Sequence, residues 1–237
     1  MVDMQTIGLI GGMSWHSTVQ YYRVLNEQVA ERCGGHASAK VSLQSLDFAE
    51  IRECQVTGDW DRAARLLADA GRKCEQSGAD LVLICTNLMH RVADDVQAAL
   101  GVPLLHIADA IADRAREQGW SRLGVLGTSW VMEEDFYVGR LARHGLDVVV
   151  PDAQDRKEAD RVIFDELTRG IVREESRASY AGILARLHDQ GAEAVVLGCT
   201  EIELLVRPED SPLPVLDSMR IHAEAAVAAA LGDRAPV

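Results

Sequence analysis

The chain holds 237 residues, 48% of them hydrophobic, with 24 Lys and Arg against 37 Asp and Glu for a formal net charge of -13. Such a length and apolar fraction can fill one large core or two modest ones and argue against a disordered chain. The acidic balance disfavours nucleic acid and anionic membrane surfaces as partners, both being polyanions, but leaves room for a small anionic substrate in a local basic pocket.

The N-terminus runs directly into an apolar strand, without the basic segment and apolar run of a secretory signal, and no later stretch approaches the roughly 20 apolar residues of a membrane span. A cytoplasmic location is the expectation. Strands are expected near 5–10, 40–46, 81–85 and 104–106, with helices over 17–31, 60–76, 89–100 and 107–118. Further strands are expected near 122–126, 147–150, 194–198 and 214–216, with helices over 133–144, 156–168, 174–190 and 219–230. This alternation predicts an α/β fold with mostly parallel sheets. Ser17-x-x-Gln20 reads as a capping box opening the first helix, and Gly145 and Gly191 stand where helices should stop. No low-complexity linker separates the halves. The boundaries are expected to give one α/β domain from residues 1–106 plus 214–237 and a second from 107–213, with the last helix crossing back onto the first half.

An internal echo supports two similar halves. Ser77-Gly78-Ala79-Asp80 and the apolar run Leu81–Ile84, followed by Cys85-Thr86-Asn87, recur as Gln190-Gly191-Ala192-Glu193 and Ala194–Leu197, followed by Gly198-Cys199-Thr200. Aligned without a gap, Thr86 stands opposite Cys199 and Cys85 opposite Gly198. A second echo, Thr6-Ile7-Gly8-Leu9-Ile10-Gly11-Gly12 against Arg122-Leu123-Gly124-Val125-Leu126-Gly127-Thr128, opens each half. Ligands of parallel α/β sheets bind beyond the carboxyl ends of strands. Residues 11–14, 85–88, 127–129 and 198–201 are therefore expected to converge on one cleft between the pseudo-symmetric halves.

Of the five cysteines (Cys33, Cys54, Cys74, Cys85, Cys199), no set has metal-type spacing, and an odd number argues against a disulfide framework. Cys199 ends an apolar strand, where its sulfur could face a cleft with backbone N–H groups lowering its pKa, as a general base needs; the plainer reading is a buried structural cysteine. Neighbours on a strand point to opposite faces, so one of Cys85 and Thr86 faces the substrate. The gapless echo selects Thr86, whereas a Cys85/Cys199 pair requires a one-residue slip. Gly11-Gly12-Met13-Ser14 could bring backbone amides to an anion or simply make a tight turn. Asn87 and Thr200 could hydrogen-bond a ligand or cap a helix. Lys157, in an acidic helix start, could hold a carboxylate or lie solvated; Arg52 and Gln55 are similar candidates. His90, His106 and His222 lack metal spacing and read as satisfied structural histidines. With only Lys40, Lys73 and Lys157 available, candidates for a pyridoxal phosphate lysine are few, and none lies in a Gly-rich phosphate loop.

Taken together, residues 7–15, 85–90, 198–201 and 220–224 resemble the aspartate/glutamate racemase family over essentially the whole chain. The resemblance implies cofactor-independent racemisation in a cleft between two α/β halves, a small amino-acid substrate, a homodimer, and two opposed acid/base residues, usually both cysteines. In the usual first motif a cysteine immediately precedes Asn; here Thr86 precedes Asn87, as in a bacterial subgroup with Thr opposite Cys that looks selective for L-aspartate and L-glutamate. By position, the resemblance implies Cys199 and Thr86 as the catalytic pair and Met13, Ser14, Gln55, Thr86, Asn87, Leu88, Lys157, Thr200 and Glu201 as the ligand shell, with Arg52 a looser match. Without an electron-sink cofactor, charge developing on the α-carboxylate would need donors from the 12–14 turn, Asn87, the Thr128 region and Thr200, one such donor being worth about 3 kcal/mol. Because Thr86 is a poorer acid and base than a thiol, exchange of the α-proton is expected to be fast for one enantiomer, L, and net inversion slow. The alternatives are a related Cys-dependent decarboxylase or maleate-type isomerase, and a carboxylate-binding protein without turnover.

Overall fold

The structure, a computed structural model, describes residues 4–207 and 211–233. The first unit runs to Ala110 and resumes at Met219; the second is Ile111–Ser218. The boundaries expected at 106/107 and 213/214 lie a few residues upstream of these, because the strand after Pro214 completes the second unit's sheet.

In the first unit, β1 (Ile7–Gly11), α1 (Trp15–Cys33), β2 (Val41–Ser45), α2 (Phe48–Thr57), α3 (Trp60–Gln76) and β3 (Leu81–Ile84) are followed by a 3-10 turn at Leu88–Val92, α4 (Ala93–Ala98) and β4 (Leu104–Leu105), and α5 (Ile107–Gln118) passes into the second unit. There, β5 (Arg122–Gly127), α6 (Ser129–Glu133), α7 (Val138–Arg143), β6 (Asp147–Val149), α8 (Ala153–Asp165), α9 (Glu174–Asp189), β7 (Ala194–Gly198), a 3-10 turn at Thr200–Leu204 and β8 (Val215–Asp217) precede α10 (Ser218–Ala230). The sheets run β2-β1-β3-β4 and β6-β5-β7-β8, with every pairing parallel. Each order reverses direction between its first and third strands, which makes the ends of β1 and β3, and those of β5 and β7, topological switch points.

The sequence echo is carried into the hydrogen bonds. Ile7 pairs with Leu81 as Leu123 pairs with Ala194. The Asp80 N–H donates to the Thr6 carbonyl at 2.8 Å and the Glu193 N–H to that of Arg122 at 2.9 Å. In return the Asp80 carboxylate accepts from the Thr6 N–H at 2.7 Å and the Glu193 carboxylate from the Arg122 N–H at 2.8 Å. Val82 and Val195 donate to the carbonyls of Pro103 and Pro214, both at 2.9 Å. One acid at the foot of each third strand thus pins the first strand in register, and backbone donors hold the Glu193 carboxyl below its ordinary pKa.

Central strands covered on both faces read as continuous apolar runs, and all of Leu81–Ile84 is buried. Along β3 the period of two is clear. Leu81, Leu83 and Cys85 enter one cluster with residues of α1 and α10, while Val82 and Ile84 enter the other with residues of α2, α3 and α4. Met219, Ala223, Ala226, Val227 and Ala230 of α10 lie in the first of these clusters, so the C-terminal helix crosses back to cover the first sheet.

Several expected helices differ. The first starts at Trp15 with Ser14 as its N-cap, so Ser17 lies within the helix, buried, and Ser17-x-x-Gln20 is not a capping box. An additional helix, α2, follows β2; Asp47 caps it by accepting from the Ala49 N–H at 2.9 Å, an interaction worth about 1 kcal/mol, and Gly58 at φ 72 ends it. The expected 133–144 helix is two, because Glu134 turns extended and fully buried Tyr137 starts the next turn. Asp152 opens α8 earlier than expected by accepting from the Gln154 and Asp155 N–H groups.

His222 of α10, fully buried, accepts from the Tyr21 hydroxyl of α1 at its Nδ1 (2.8 Å) and donates from its Nε2 to the Leu105 carbonyl (2.8 Å). Burial lowers its pKa to about 4. A depressed imidazole pKa makes the unfolded chain take up the proton first, so the neutral ring's contribution is complete above pH ~6.5 and is lost as pH falls toward 4, about 3 kcal/mol in all. Thermal denaturation from pH 7 to pH 4 is expected to show a falling Tm, with a shallower slope for His222→Gln, whose amide keeps the bond to Leu105.

Candidate active site

In the first unit the glycine pair at the end of β1 is a packing device. Gly12 sits at φ +88, and a Cβ there would lie 2.2 Å from the Leu46 carbonyl oxygen. Its N–H donates to Thr18 Oγ1 at 2.9 Å, and that hydroxyl donates to the Ser14 carbonyl at 3.2 Å. The Gly12 amide is therefore committed within the turn, which selects the tight-turn reading over an anion donor at this residue. Ser14 is half-buried, while Met13 packs into the core with Ile51, Cys54 and Met89. Gln55, buried on α2, donates to Met89 Sδ at 3.4 Å and accepts from half-buried Arg52 at 3.2 Å, which fixes its amide over the same cluster.

At the end of β3, Cys85 is fully buried among Leu9, Tyr21, Leu83 and Ala223, and burial pushes its thiol pKa up. Thr86 is the one residue from Leu81 to His90 that is not buried; Asn87 and Leu88, which open the turn that follows, are both buried. Within this unit, Thr86 presents itself at the strand end and Cys85 faces the core.

The second unit repeats the arrangement at the ends of β5 and β7, where Gly127 pairs with Gly198. A Cβ on Gly127 would lie 3.0 Å from the Gly198 carbonyl oxygen, and one on Gly198 2.8 Å from Val131 Cγ1, so a side chain at either position would push the strands or α6 apart. Thr128, buried, follows β5. Cys199 follows β7, half-buried, with its Sγ 3.1 Å from Glu201 Oε2; the same oxygen accepts from Thr200 Oγ1 at 2.9 Å. Burial chiefly, then the Glu201 carboxylate and Asp160 of α8, raise the Cys199 pKa well above its ordinary value, outweighing one backbone donor at Glu201. This reverses the expectation that backbone amides would lower it: the resting residue is a thiol hydrogen-bonded to a carboxylate. Lys157 is exposed on α8 and is not part of this cluster of contacts.

The geometry of each unit is that of a strand end presenting one protic side chain, Thr86 or Cys199, at a switch point. The sequence profile of the Asp/Glu/hydantoin racemases matches residues 10–226. The chain belongs to that family. A crystal structure of a candidate Asp/Glu racemase from Yersinia pestis is 48% identical and superposes with a TM-score of 0.92, covering 96% of this chain and 100% of that one. An aspartate racemase homologue from Pyrococcus horikoshii OT3 is 33% identical with a TM-score of 0.84, over 96% of this chain and 99% of that one. The broad specificity amino-acid racemase RacX of Bacillus subtilis is 22% identical over 169 residues, 71% of this chain and 73% of its own length. Membership makes this chain an isomerase of the racemase type.

Two further residues of this racemase bear on the strand ends. Asp160 accepts from the Ser129 N–H at 2.9 Å, capping α6, and adds negative field at Cys199; its only sequence signal was membership of the acidic start of α8. His90, read as structural, bonds the backbone at Thr86. Among the described residues, no group of three His, Cys, Asp or Glu side chains could hold a metal, and no helix is long and apolar enough to cross a membrane.

Proposed function

We propose that this racemase interconverts the enantiomers of aspartate, glutamate or both without pyridoxal phosphate, with preference for the L-enantiomer, Cys199 acting as the base on one face of the α-carbon and Thr86 on the other. The observation that carries the reading is the shared register of the two sheets. Ile7–Leu81 and Leu123–Ala194 are equivalent pairs, and counting from them to the strand ends makes Thr86 the counterpart of Cys199. The burial of Cys85 in the core supports the same pairing. All three lysines are exposed, whereas a Schiff-base lysine sits in a closed pocket.

In this reading the Cys199 thiolate removes the α-proton, and donors at Asn87 and the backbone of Thr200, whose hydroxyl is given to Glu201, stabilise charge on the α-carboxylate. A hydroxyl is a weaker acid than a thiol and is not ionised near neutral pH, so the enantiomer whose α-hydrogen faces Cys199, in this reading L-aspartate, exchanges its α-proton faster than the other. The test is incubation of the purified protein with each enantiomer in deuterated buffer, followed by proton NMR and chiral chromatography. Faster loss of the L-aspartate or L-glutamate α-proton, with slower inversion, is the expected outcome. Equal exchange of both enantiomers ends the asymmetric assignment, and no exchange with either amino acid ends the substrate assignment. Since the Cys199 pKa is raised, the thiolate fraction, and with it exchange at low substrate, should climb about tenfold per pH unit below that pKa.

A further inference from the structure

A buried cluster of three imidazoles lies behind Thr86 in the first unit. His90 and His106 have ring centroids 4.5 Å apart, and His90 and His222 are at 5.6 Å. All three rings are buried, and backbone partners assign their tautomers. His90 Nδ1 lies 2.8 Å from the Thr86 carbonyl, which can only accept, so Nδ1 carries the proton. His90 Nε2 receives the Ile107 N–H at 3.2 Å, so it carries the lone pair. An imidazolium would set N–H against N–H at Ile107; the bonded ring is neutral. His106 is likewise neutral at Nδ1, which accepts the Ala108 N–H at 3.1 Å.

His90 also donates its own backbone N–H to the Asn87 carbonyl at 3.1 Å. One residue therefore draws two consecutive carbonyls, those of Thr86 and Asn87, toward the interior. In a planar trans peptide the N–H points opposite to the carbonyl, so fixing the Thr86 carbonyl on the His90 ring turns the Asn87 N–H away from that ring, next to Thr86, the one residue of 81–90 that is not buried. The bond from Ile107 and the flanking rings of His106 and His222 leave the His90 imidazole little freedom to release that peptide.

We propose that His90 is a positioning residue: its Nδ1–H clamps the Thr86–Asn87 peptide so that the Thr86 hydroxyl and the Asn87 amide are aimed together at the α-carbon and α-carboxylate of the substrate. The aim at a substrate rests on the racemase reading above; the clamp itself does not. His90 acts through the backbone and touches no reacting atom. Because the aimed groups matter most as charge and proton move in the transition state, the clamp governs kcat more than KM.

Two isosteric variants divide the ring's duties. His90→Asn places an amide N–H at the Nδ1 position and loses the acceptor for Ile107, whereas His90→Gln keeps an acceptor at the Nε2 position and loses the donor to Thr86. Each loses one buried hydrogen bond, so both should lower Tm by similar amounts. The expected result is kcat within about threefold of wild type for His90→Asn and a fall of about tenfold or more for His90→Gln, with KM little changed in both. In the ligand-free proteins, the Thr86 carbonyl-carbon and Asn87 amide NMR shifts should move in His90→Gln and hold in His90→Asn. Equal kcat in the two variants overturns the proposal, and so do Thr86 and Asn87 shifts that do not separate them. If wild type turns over neither amino acid, the racemase reading falls by itself, and the NMR shifts still decide whether His90 clamps this peptide.

Discussion

Cys199→Ala is expected to lower L-aspartate α-proton exchange by on the order of 10³-fold, the scale of a lost general base, while leaving the circular dichroism spectrum intact. The side chain sits half-buried beyond the end of β7 rather than in the packed sheet, so its removal opens no core cavity. Cys199→Ser should be nearly as damaging, since the hydroxyl keeps the shape and loses the acidity. The informative control is Cys85→Ala. That thiol is fully buried among residues of α1, β1 and α10, so trimming it leaves a small cavity costing about 1 kcal/mol, visible as a lower Tm, with exchange per folded molecule preserved. A Cys85→Ala protein that folds but no longer exchanges the α-proton would show that the one-residue slip pairing Cys85 with Cys199 is the working arrangement. An active Cys199→Ala protein would move the base elsewhere altogether.

The contrast between Cys85 and Thr86 also marks what could be read without coordinates. Parallel strands that are buried on both faces are short apolar runs ending in polar residues, and their repetition at 81–87 and 194–200 makes two similar α/β halves legible; the strand order and the register come from the structure. The acids Asp80 and Glu193 were legible as repeats, although their work of pinning the neighbouring strand needed the hydrogen bonds to be seen. What stayed hidden depended on cap, side-chain and burial details that composition and periodicity do not specify. The short helix α2 has polar residues through its middle, and its two caps, Asp47 and Gly58, also suit a plain turn. Gly12 reads equally as an anion-binding glycine or a tight turn, and only the Thr18 hydroxyl, one turn into α1 and holding its amide, decides between them. His90 matters through Ile107, His106 and His222, none of them its neighbour in sequence. The direction of the Cys199 pKa is opposite to the expectation because burial of the sulfur, chiefly, and then the Glu201 carboxylate and the charge of Asp160 outweigh the one backbone donor.

That reversal leads to the second large effect, expected at the thiol itself. Glu201→Gln should increase the alkylation rate of Cys199 by iodoacetamide at pH 7 several-fold and move the pH midpoint of that reaction downward. The carboxylate lies 3.1 Å from the sulfur and opposes its ionisation both as a nearby negative charge and as an acceptor that stabilises the protonated form. Replacing it by a neutral amide removes the charge and allows an N–H to face the thiolate; some of the gain is offset because a thiolate of lower pKa is intrinsically less nucleophilic. The measurement is cleanest in a Cys33→Ser background, since Cys33 is exposed while Cys54, Cys74 and Cys85 are buried. Glu201→Asp retains the charge and should keep the midpoint near that of wild type, which separates electrostatics from the loss of a particular shape. Because the readout is chemistry at sulfur in the free protein, it holds whatever Glu201 contributes to substrate binding. Unchanged alkylation in Glu201→Gln would mean that burial, and not the Glu201 charge, dominates the reactivity of this thiol. A several-fold rise accompanied by slower α-proton exchange would show instead that Glu201 keeps Cys199 in its thiol form at rest while still being needed for turnover.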